Sequence, residues 1–419
     1  MTDAHRRRAV LAAIAVGCAL RLAFAFGYWV DKPLTHDERE YLHLAGNLAA
    51  GRGFDSEVPV PSADDPERFG RAPLYPLFLA GVGGREGGDA RLDRIRLAQV
   101  LTGCLTICLL ASLAGRAAGD GAIAPAAWLA ALYPPFVWLP AYVLSETLYS
   151  FLALAGVLWL ARALDRPLAE VRAAPRRAGP LVAAGLLAGA AALTRPAHLL
   201  FIVLVGAWLL WARRPDWAVL VAIGAVVVVG PWTARNYLTY NRLVLIAAQG
   251  GVNFWIGNHP LSRGEGDMAA NPAIKRDNLR LRTEHQGRSP EQLEPVYYRE
   301  AFRTIAADPV WWCRLLARKL FYLWMPIGPS YTLHSPRYLL VSLASYGLLM
   351  PVGLAGLAAL WWRGRSPRTL GLLAGSAVLT CVAFLPQERF RIPAIDPALL
   401  VGAAAVAAVR RLPDRRPAC

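Results

Sequence analysis

The most constraining feature of the chain is a series of long apolar runs separated by short charged segments. A helix that crosses a hydrocarbon core of about 30 Å needs roughly 20 apolar residues, and 56% of the 419 residues are hydrophobic. This pattern predicts an all-α, polytopic membrane bundle of about ten transmembrane helices. The predicted spans are 9–30, 93–115, 121–141, 143–163, 179–194, 197–212, 216–232, 337–361, 368–386 and 391–409. Two of them, 179–194 and 197–212, are short and are expected to be tilted or partly re-entrant, and 73–84 is expected at the interface.

Arginine placement orients these spans. Arginines concentrate at one set of span ends, and the positive-inside rule makes those ends, with both termini, cytoplasmic. They carry Arg6-Arg7-Arg8, Arg116, the stretch 166–177, Arg213-Arg214, Arg363, Arg365, Arg368 and Arg410-Arg411. We therefore predict a multi-pass protein of the cell (inner) membrane with its active site on the external, periplasmic face.

The same assignment divides the chain into three parts. They are 1–232, an N-terminal transmembrane module with a catalytic first external loop (31–92); 233–336, an external loop domain; and 337–419, C-terminal transmembrane helices with a cytoplasmic tail.

Both external segments contain helix signals. A helix is predicted from Asp37 to Ala50, ended by Gly51-Arg52-Gly53. Ser289 with Gln292, and a proline between them at the first helical position, form a capping box that predicts another helix. The aromatic and basic stretch 311–324 suits a helix on the membrane surface.

Charge and cysteine usage exclude several classes of function. The net charge is +16, but it is scattered between apolar runs, so we predict membrane lipids and no nucleic acid as surroundings. The six cysteines have no spacing typical of a zinc site or a disulfide framework. The first run lacks a small-residue cleavage site, which favours a retained anchor over a signal peptide.

An acidic pair, Asp37-Glu38, follows the first span. A carboxylate there could take a proton from an acceptor hydroxyl or amine, and His36 lies beside it. The alternative is structural, because Thr35 with Glu38 also forms a capping box and acids in a first turn stabilise a helix.

Arginines on the predicted external side form a second group. Arg71, Arg195, Arg389 and Arg391 all lie in loops or in corners at the ends of the predicted spans. Guanidinium groups bind phosphate oxygens in pairs of hydrogen bonds, most strongly where water is scarce. The alternative to a phosphate-binding site is that any one of these arginines binds lipid head groups at the membrane surface.

Two further charged residues lie at or within spans. Glu146, at the outer mouth of span 143–163, could hold a sugar hydroxyl, an arginine or a cation, or could be a solvated acid at a helix start. Arg21 lies near the middle of the first span and needs a partner within the bundle.

With these residues, the chain resembles the polytopic glycosyltransferases of the C fold. It is most similar to glycosyltransferase family 39, the polyprenyl-phosphate-mannose protein mannosyltransferases, and to the aminoarabinose transferases that modify lipid A. The matching motifs, in family order, are His36-Asp37-Glu38 with Tyr41; Arg71-Ala72-Pro73-Leu74-Tyr75-Pro76; Ser145-Glu146-Thr147-Leu148-Tyr149; Leu193-Thr194-Arg195-Pro196; Pro231-Trp232-Thr233-Ala234-Arg235-Asn236-Tyr237; and Arg389-Phe390-Arg391-Ile392-Pro393.

The resemblance implies a membrane glycosyltransferase, inverting, that moves a sugar from a polyprenyl-phosphate donor to a protein, lipid or polysaccharide acceptor. Asp37 corresponds to the family's presumed base, with Glu38 beside it. Arg71 corresponds to the basic residue that contacts the lipid phosphate, and Tyr75 belongs to the same motif.

The resemblance and the residues together complete the expected site. Glu146, Arg195, Arg389 and Arg391 are expected to bind the donor and its lipid phosphate. Some relatives carry an acid just before the basic residue of the first loop, where this chain has Phe69-Gly70, so no metal site and no cofactor are predicted.

The alternative function is a transporter or flippase of a lipid-linked sugar. It would use the same arginines and spans but would not need Asp37 as a base. Transporters also tend to have repeated halves, and this sequence has no such repeat.

Overall fold

A computed structural model describes residues 2–54, 71–84, 89–164, 178–325, 327, 329, 335–365 and 367–408. Within these ranges the regular elements are eighteen α-helices and a few short helical turns. The first nine are α1 (Asp3–Ala23), α2 (His36–Ala49), α3 (Leu74–Gly83), α4 (Asp89–Ala118), α5 (Ile123–Leu132), α6 (Pro134–Trp138), α7 (Glu146–Leu164), α8 (Gly179–Thr194) and α9 (Leu199–Trp211). The others are α10 (Pro215–Tyr240), α11 (Gly250–Gly257), α12 (Pro272–Glu284), α13 (Pro290–Ala307), α14 (Pro309–Trp324), α15 (Pro336–Trp362), α16 (Arg368–Ala383), α17 (Glu388–Arg391) and α18 (Asp396–Val406).

Some residues used in the sequence analysis have no described placement. The arginine-rich stretch 166–177, the pair Arg410-Arg411 and the dipeptide Phe69-Gly70 all lie outside the described residues.

Each predicted span contains helix in the described part of the chain, but the helices differ in length. Five helices are long and apolar enough to cross a membrane: α1 with its continuation to Tyr28, α4, α7, α10 and α15. The other apolar helices of the predicted spans, α8, α16 and α18, and α9 with the turn before it, have 10–17 residues. The chain is therefore an all-helical integral membrane protein.

The predicted straight span 121–141 is broken. Asp120–Leu132 and Pro134–Ala141 meet at an angle of 63°. Tyr133 between them has an extended backbone, because a residue that precedes proline avoids the helical region.

Glycines set the closest helix crossings. Between α8 and α10, a Cβ added at Gly185 would lie 2.2 Å from the carbonyl oxygen of Val221. Between α15 and α18, a Cβ at Gly356 would lie 1.8 Å from the carbonyl oxygen of Gly402. Small residues let membrane helices approach to backbone contact. In lipid the hydrophobic effect does not drive helices together, so van der Waals packing at such contacts stabilises their association.

The first long loop, which follows α1, begins with the predicted helix. The helix α2 starts at the capping box of Thr35 and Glu38 and ends before Gly51, whose φ of 74° favours glycine. It packs on α3, where the ring centroids of Tyr41 and Tyr75 lie 4.8 Å apart.

The second long segment between the predicted spans is a helical module, α11–α14, with its own apolar cluster around Trp255 and Tyr297. The predicted capping box of Ser289 and Gln292 is confirmed and opens α13. Asn258 fastens the module to the end of α16, because its side-chain nitrogen donates to the carbonyl oxygen of Ala383 at 3.0 Å. The buried ammonium of Lys319 donates to Oδ1 of Asn258 and to the carbonyl oxygen of Ala383, both at 3.4 Å.

Arg21 finds a partner within the bundle, as expected, but the partner is backbone. Its guanidinium donates to the carbonyl oxygens of Gly17, Ala130 and Ala131. The last two lie at the end of α5, just before the break, where helix carbonyls have no partner within their own helix.

The crossing of α15 and α18 yields a prediction. Gly356→Ala should lower the unfolding temperature in detergent, since overpacking costs about 1–3 kcal/mol. Gly347→Ala on the same helix is the control, because nothing lies within 4 Å of its added Cβ. That change should be neutral or should stabilise the helix by about 0.5–1 kcal/mol. Equal unfolding temperatures for the two variants would contradict the close crossing.

Candidate active site

Three arginines and three carboxylates from five parts of the chain meet at one end of the bundle. We call them the six-residue network. In order of contact they are Glu40, Arg71, Asp37, Arg389, Glu146 and Arg195.

Asp37 lies at the centre of the network. Arg71 donates from Nη2 to Oδ1 of Asp37 at 2.7 Å, and Arg389 donates from Nη1 to Oδ2 at 2.8 Å. The three residues are far apart in sequence, so only the tertiary fold brings them together. The predicted base and two of the predicted phosphate ligands therefore share one site.

Glu40 is a member of the network that the sequence analysis missed. It lies one turn after Asp37 on α2, and its Oε2 accepts a hydrogen bond from Nε of Arg71 at 2.9 Å. The Arg71 guanidinium also lies 4.9 Å from the ring centroid of Tyr41. The only signal in the sequence was the spacing of three residues, which places Asp37 and Glu40 on one helix face.

Glu146 joins two other arginines. It opens α7 and lies 2.8 Å from Nη1 of Arg195 and 3.6 Å from Nε of Arg389. The ring of Phe390 lies near both cations, 4.5 Å from the guanidinium of Arg195 and 5.4 Å from that of Arg389. The predicted residues Glu146, Arg195 and Arg389 are thus brought together.

The network has an open side and a sealed side. The side chains of Asp37 and Arg389 are 25% and 40% exposed, whereas those of Glu40 and Glu146 are 1% and 2% exposed. Solvent or a ligand can therefore reach Asp37 and Arg389, while Glu40 and Glu146 hold their arginines from behind.

The arginines set the protonation of the site. Burial raises the pKa of Asp37, but the charges and hydrogen bonds of Arg71 and Arg389 outweigh it and hold the pKa well below its ordinary value. Burial lowers the pKa of Arg389, and the charges of Asp37 and Glu146 more than reverse this. In this arrangement Asp37 is ionised at neutral pH, with both oxygens held by cations.

Glu38 has a different role from its neighbour. Its Oε2 accepts from the backbone nitrogen and the hydroxyl of Thr35 at 2.8 and 2.9 Å, and its Oε1 accepts from the backbone nitrogen of Val143 at 2.8 Å. Both oxygens are thus used to cap α2 and to tie it to the segment before α7. The cap of α2 consists of Thr35 and Glu38, and Asp37 takes no part in it.

Arg391 and Arg389 diverge from the short helix α17. Arg391 is 1% exposed, and its Nε donates to Oδ1 of Asp396 at 3.0 Å. Asp396 also accepts from the hydroxyl of Tyr133 at 2.7 Å, and the Arg391 guanidinium lies 3.4 Å from the ring centroid of Tyr346. Arg391 therefore anchors the corner from within the bundle, two residues from Arg389.

Tyr75 lies beside the network without joining its ion pairs. It is fully buried, and its hydroxyl donates to Oε1 of Gln99 at 2.9 Å. Its ring meets Tyr41, which in turn lies under Arg71. Tyr75 thus supports Arg71 through one intervening ring.

Among the described residues, no group of three or more His, Cys, Asp or Glu side chains is arranged to hold a metal ion. The absence of a metal and of a cofactor stays a prediction, since it was made partly on Phe69-Gly70.

Solved structures share this architecture. The archaeal oligosaccharyltransferase AglB from Archaeoglobus fulgidus, in complex with an inhibitory peptide and a dolichol-phosphate, matches with a TM-score of 0.60 at 14% identity, over 95% of this chain and 50% of that one. Another Archaeoglobus fulgidus oligosaccharyltransferase structure, a complex with Zn and sulfate, matches with a TM-score of 0.59 at 14% identity, over 95% and 48%. The chain has the C fold of glycosyltransferases. It spans about half the length of these oligosaccharyltransferases.

One more solved structure matches the chain, and two sequence comparisons find no match. ArnT from Cupriavidus metallidurans, bound to undecaprenyl phosphate, matches with a TM-score of 0.43 at 18% identity, over 95% of this chain and 77% of that one. No protein-family model matches the sequence, and a search of curated proteins finds no match. Membership of glycosyltransferase family 39 therefore stays a prediction.

The divergence of Arg389 and Arg391 predicts different effects of their removal. Arg391→Ala should lower the free energy of unfolding by about 3–5 kcal/mol, because it leaves Asp396 charged and buried. Arg389→Ala should cost far less stability, because its side chain is partly exposed, but it should weaken binding of a polyprenyl phosphate. Thermal unfolding and lipid-phosphate binding of both variants test this. Matching effects of the two changes on both quantities would contradict the separate roles.

Proposed function

We propose that this protein is an inverting membrane glycosyltransferase that uses a polyprenyl-phosphate-linked sugar as donor. The observation that carries the proposal is Asp37, a partly exposed carboxylate held between Arg71 and Arg389 at one end of a C-fold bundle. A base beside two phosphate-binding cations is what transfer from a lipid phosphate needs.

The acceptor and the leaving phosphate each have a partner in the site. Asp37 takes a proton from the acceptor as the acceptor attacks the anomeric carbon of the sugar. The bond from that carbon to the phosphate oxygen breaks, and Arg71 and Arg389 stabilise the negative charge that develops on the leaving phosphate. A single displacement of this kind inverts the anomeric configuration.

The remaining predicted residues support these two functions. Glu146 holds Arg389 from one side, and Arg195 pairs with Glu146. Arg391 fixes the corner that carries Arg389, and Glu38 fixes the start of the helix that carries Asp37. The acceptor can be a protein, a lipid or a polysaccharide.

The proposed reaction takes place on the external face of the cell membrane. The helix ends that meet at the six-residue network are opposite to the arginine-rich helix ends, such as the Arg213-Arg214 turn before α10. The positive-inside rule then places the network outside.

The enzymatic function predicts that Asp37→Asn loses turnover. Purified protein is incubated with membranes that contain a panel of polyprenyl-phosphate sugars and with an extract that supplies the acceptor. The release of free polyprenyl phosphate is then measured. We expect loss by a factor of at least about 100, the usual contribution of a general base. Asp31→Asn, an exposed acid before the same helix, is the matched control and should keep full turnover. Turnover by Asp37→Asn within several-fold of wild type would overturn the role of Asp37, and lipid-linked sugar movement without phosphate release would favour a transporter.

The external location predicts the labelling of single cysteines. In a background without the six native cysteines, Gln286→Cys in the module and Ala212→Cys near Arg213 both place a thiol at an exposed position. A membrane-impermeant maleimide should label Gln286→Cys in intact cells and Ala212→Cys only after lysis. Equal labelling of both in intact cells would contradict the proposed orientation.

A further inference from the structure

The six-residue network contains a conflict between the two tasks of the proposed site. Both oxygens of Asp37 accept hydrogen bonds from cations, at 2.7 and 2.8 Å. A carboxylate held in this way has a low proton affinity and is a poor base. The same two guanidinium groups are the ones that a donor phosphate would require.

Formal positive and negative charges are equal in number within the six described residues of the network. Three arginines face three carboxylates, so that their formal charges sum to zero. A sugar-linked polyprenyl phosphate adds one negative charge. It must therefore take a guanidinium group from a carboxylate that already holds it, because an unpaired charge in a poorly solvated site is costly.

Exposure indicates which carboxylate gives way. Glu40 and Glu146 are almost fully buried behind their arginines, whereas Asp37 is 25% exposed and lies on the open side with Arg389. Among the described members of the network, Asp37 and Arg389 are the most exposed, so an incoming anion meets Arg389 on the side of Asp37. A small rotation of the Asp37 side chain into the opening frees one donor from each of Arg71 and Arg389.

The buried nitrogen Nε of Arg389 supports this view. It makes no hydrogen bond among the described residues, since Glu146 lies at 3.6 Å. The Arg389 guanidinium thus has an unused donor in addition to the Nη1 that Asp37 occupies.

We propose that the donor phosphate displaces Asp37 from Arg71 and Arg389, so that Asp37 is released to accept a proton only when the donor is bound. This inference rests on the proposed function and assigns the order of events within the same site.

The exchange keeps charge and atoms balanced through the reaction. After displacement, the phosphate has the two guanidinium groups and Asp37 is an unpaired anion. The acceptor forms its bond to the anomeric carbon, the carbon–oxygen bond to the phosphate breaks with its electron pair on the phosphate, and the acceptor's proton moves to Asp37. The charge gained by the departing phosphate is thereby matched by the charge lost at Asp37. Without a donor, Asp37 stays paired, and the empty site activates neither acceptor nor water.

Glu40 is the positioning residue in this exchange. It accepts a hydrogen bond from Nε of Arg71, whereas Asp37 accepts from Nη2 of the same guanidinium. Because Glu40 is buried, it keeps Arg71 in place while Asp37 leaves.

The test measures binding of farnesyl phosphate to the purified full-length protein in detergent by isothermal titration calorimetry. Removing the competing carboxylate should strengthen binding, so Asp37→Asn should bind farnesyl phosphate about ten-fold more tightly than wild type, the change expected for one charged hydrogen bond. Arg389→Ala should bind it at least about ten-fold more weakly. Asp37→Ser serves as a second variant in case the asparagine variant folds poorly, and farnesol, which lacks the phosphate, should bind all variants alike.

Glu40→Gln is the matched control for a simple charge effect. It removes the same unit of negative charge from the other side of Arg71, so a purely electrostatic account predicts tighter binding for it as well. Displacement predicts no tightening, because Glu40 does not occupy the place of the phosphate. Tightening by Glu40→Gln equal to that by Asp37→Asn would overturn the displacement.

The remaining outcomes separate the displacement from the proposed function. If Arg389→Ala weakens binding but Asp37→Asn and Asp37→Ser leave it at the wild-type value or lower, the displacement is wrong and the phosphate site stands. If wild type binds farnesyl phosphate no better than farnesol, or Arg389→Ala binds it as well as wild type, the phosphate site fails and the displacement fails with it.

Discussion

The sharing of two guanidinium groups by one carboxylate is the interaction on which the rest of the site depends. Arg71 and Arg389 come from chain regions more than three hundred residues apart, and Asp37 is the side chain that joins them. Buried ion pairs contribute little net stability once desolvation is included. A network that is costly to bury and open on one side is therefore better explained by function than by folding.

The surrounding fold holds this network from several directions. Glu38 ties the start of α2 to Val143, and Arg391 with Asp396 fixes the corner that carries Arg389. Gly356 lets α15 approach α18, the helix that begins at Asp396, to backbone contact. These anchors lie within the bundle, whereas Asp37 and Arg389 face its open side.

The sequence was informative wherever a charged residue stood at the end of an apolar run. Asp37, Arg71, Glu146, Arg195 and Arg389 could all be predicted in this way, because charge at a membrane boundary is costly without a purpose. Glu40 was missed because it lies within a polar helix, and only the approach of Arg71 gives it significance. The opposite directions of Arg389 and Arg391 depend on a single helical turn and on Asp396, which the sequence analysis counted within a span. The break at Tyr133 was missed as well, since an apolar run containing Pro134-Pro135 satisfies a hydropathy criterion whether it is straight or bent.

The central claim is that Asp37 and the donor phosphate compete for one pair of arginines, and an experimental structure with bound polyprenyl phosphate tests it most directly. We expect the phosphate within hydrogen-bond distance of both Arg71 and Arg389, and Glu40 still paired with Arg71. In that structure Asp37 should lie more than about 4 Å from both guanidinium groups, beyond the range of a hydrogen bond. A phosphate bound elsewhere, or bound here with Asp37 still paired with both arginines, would contradict the account.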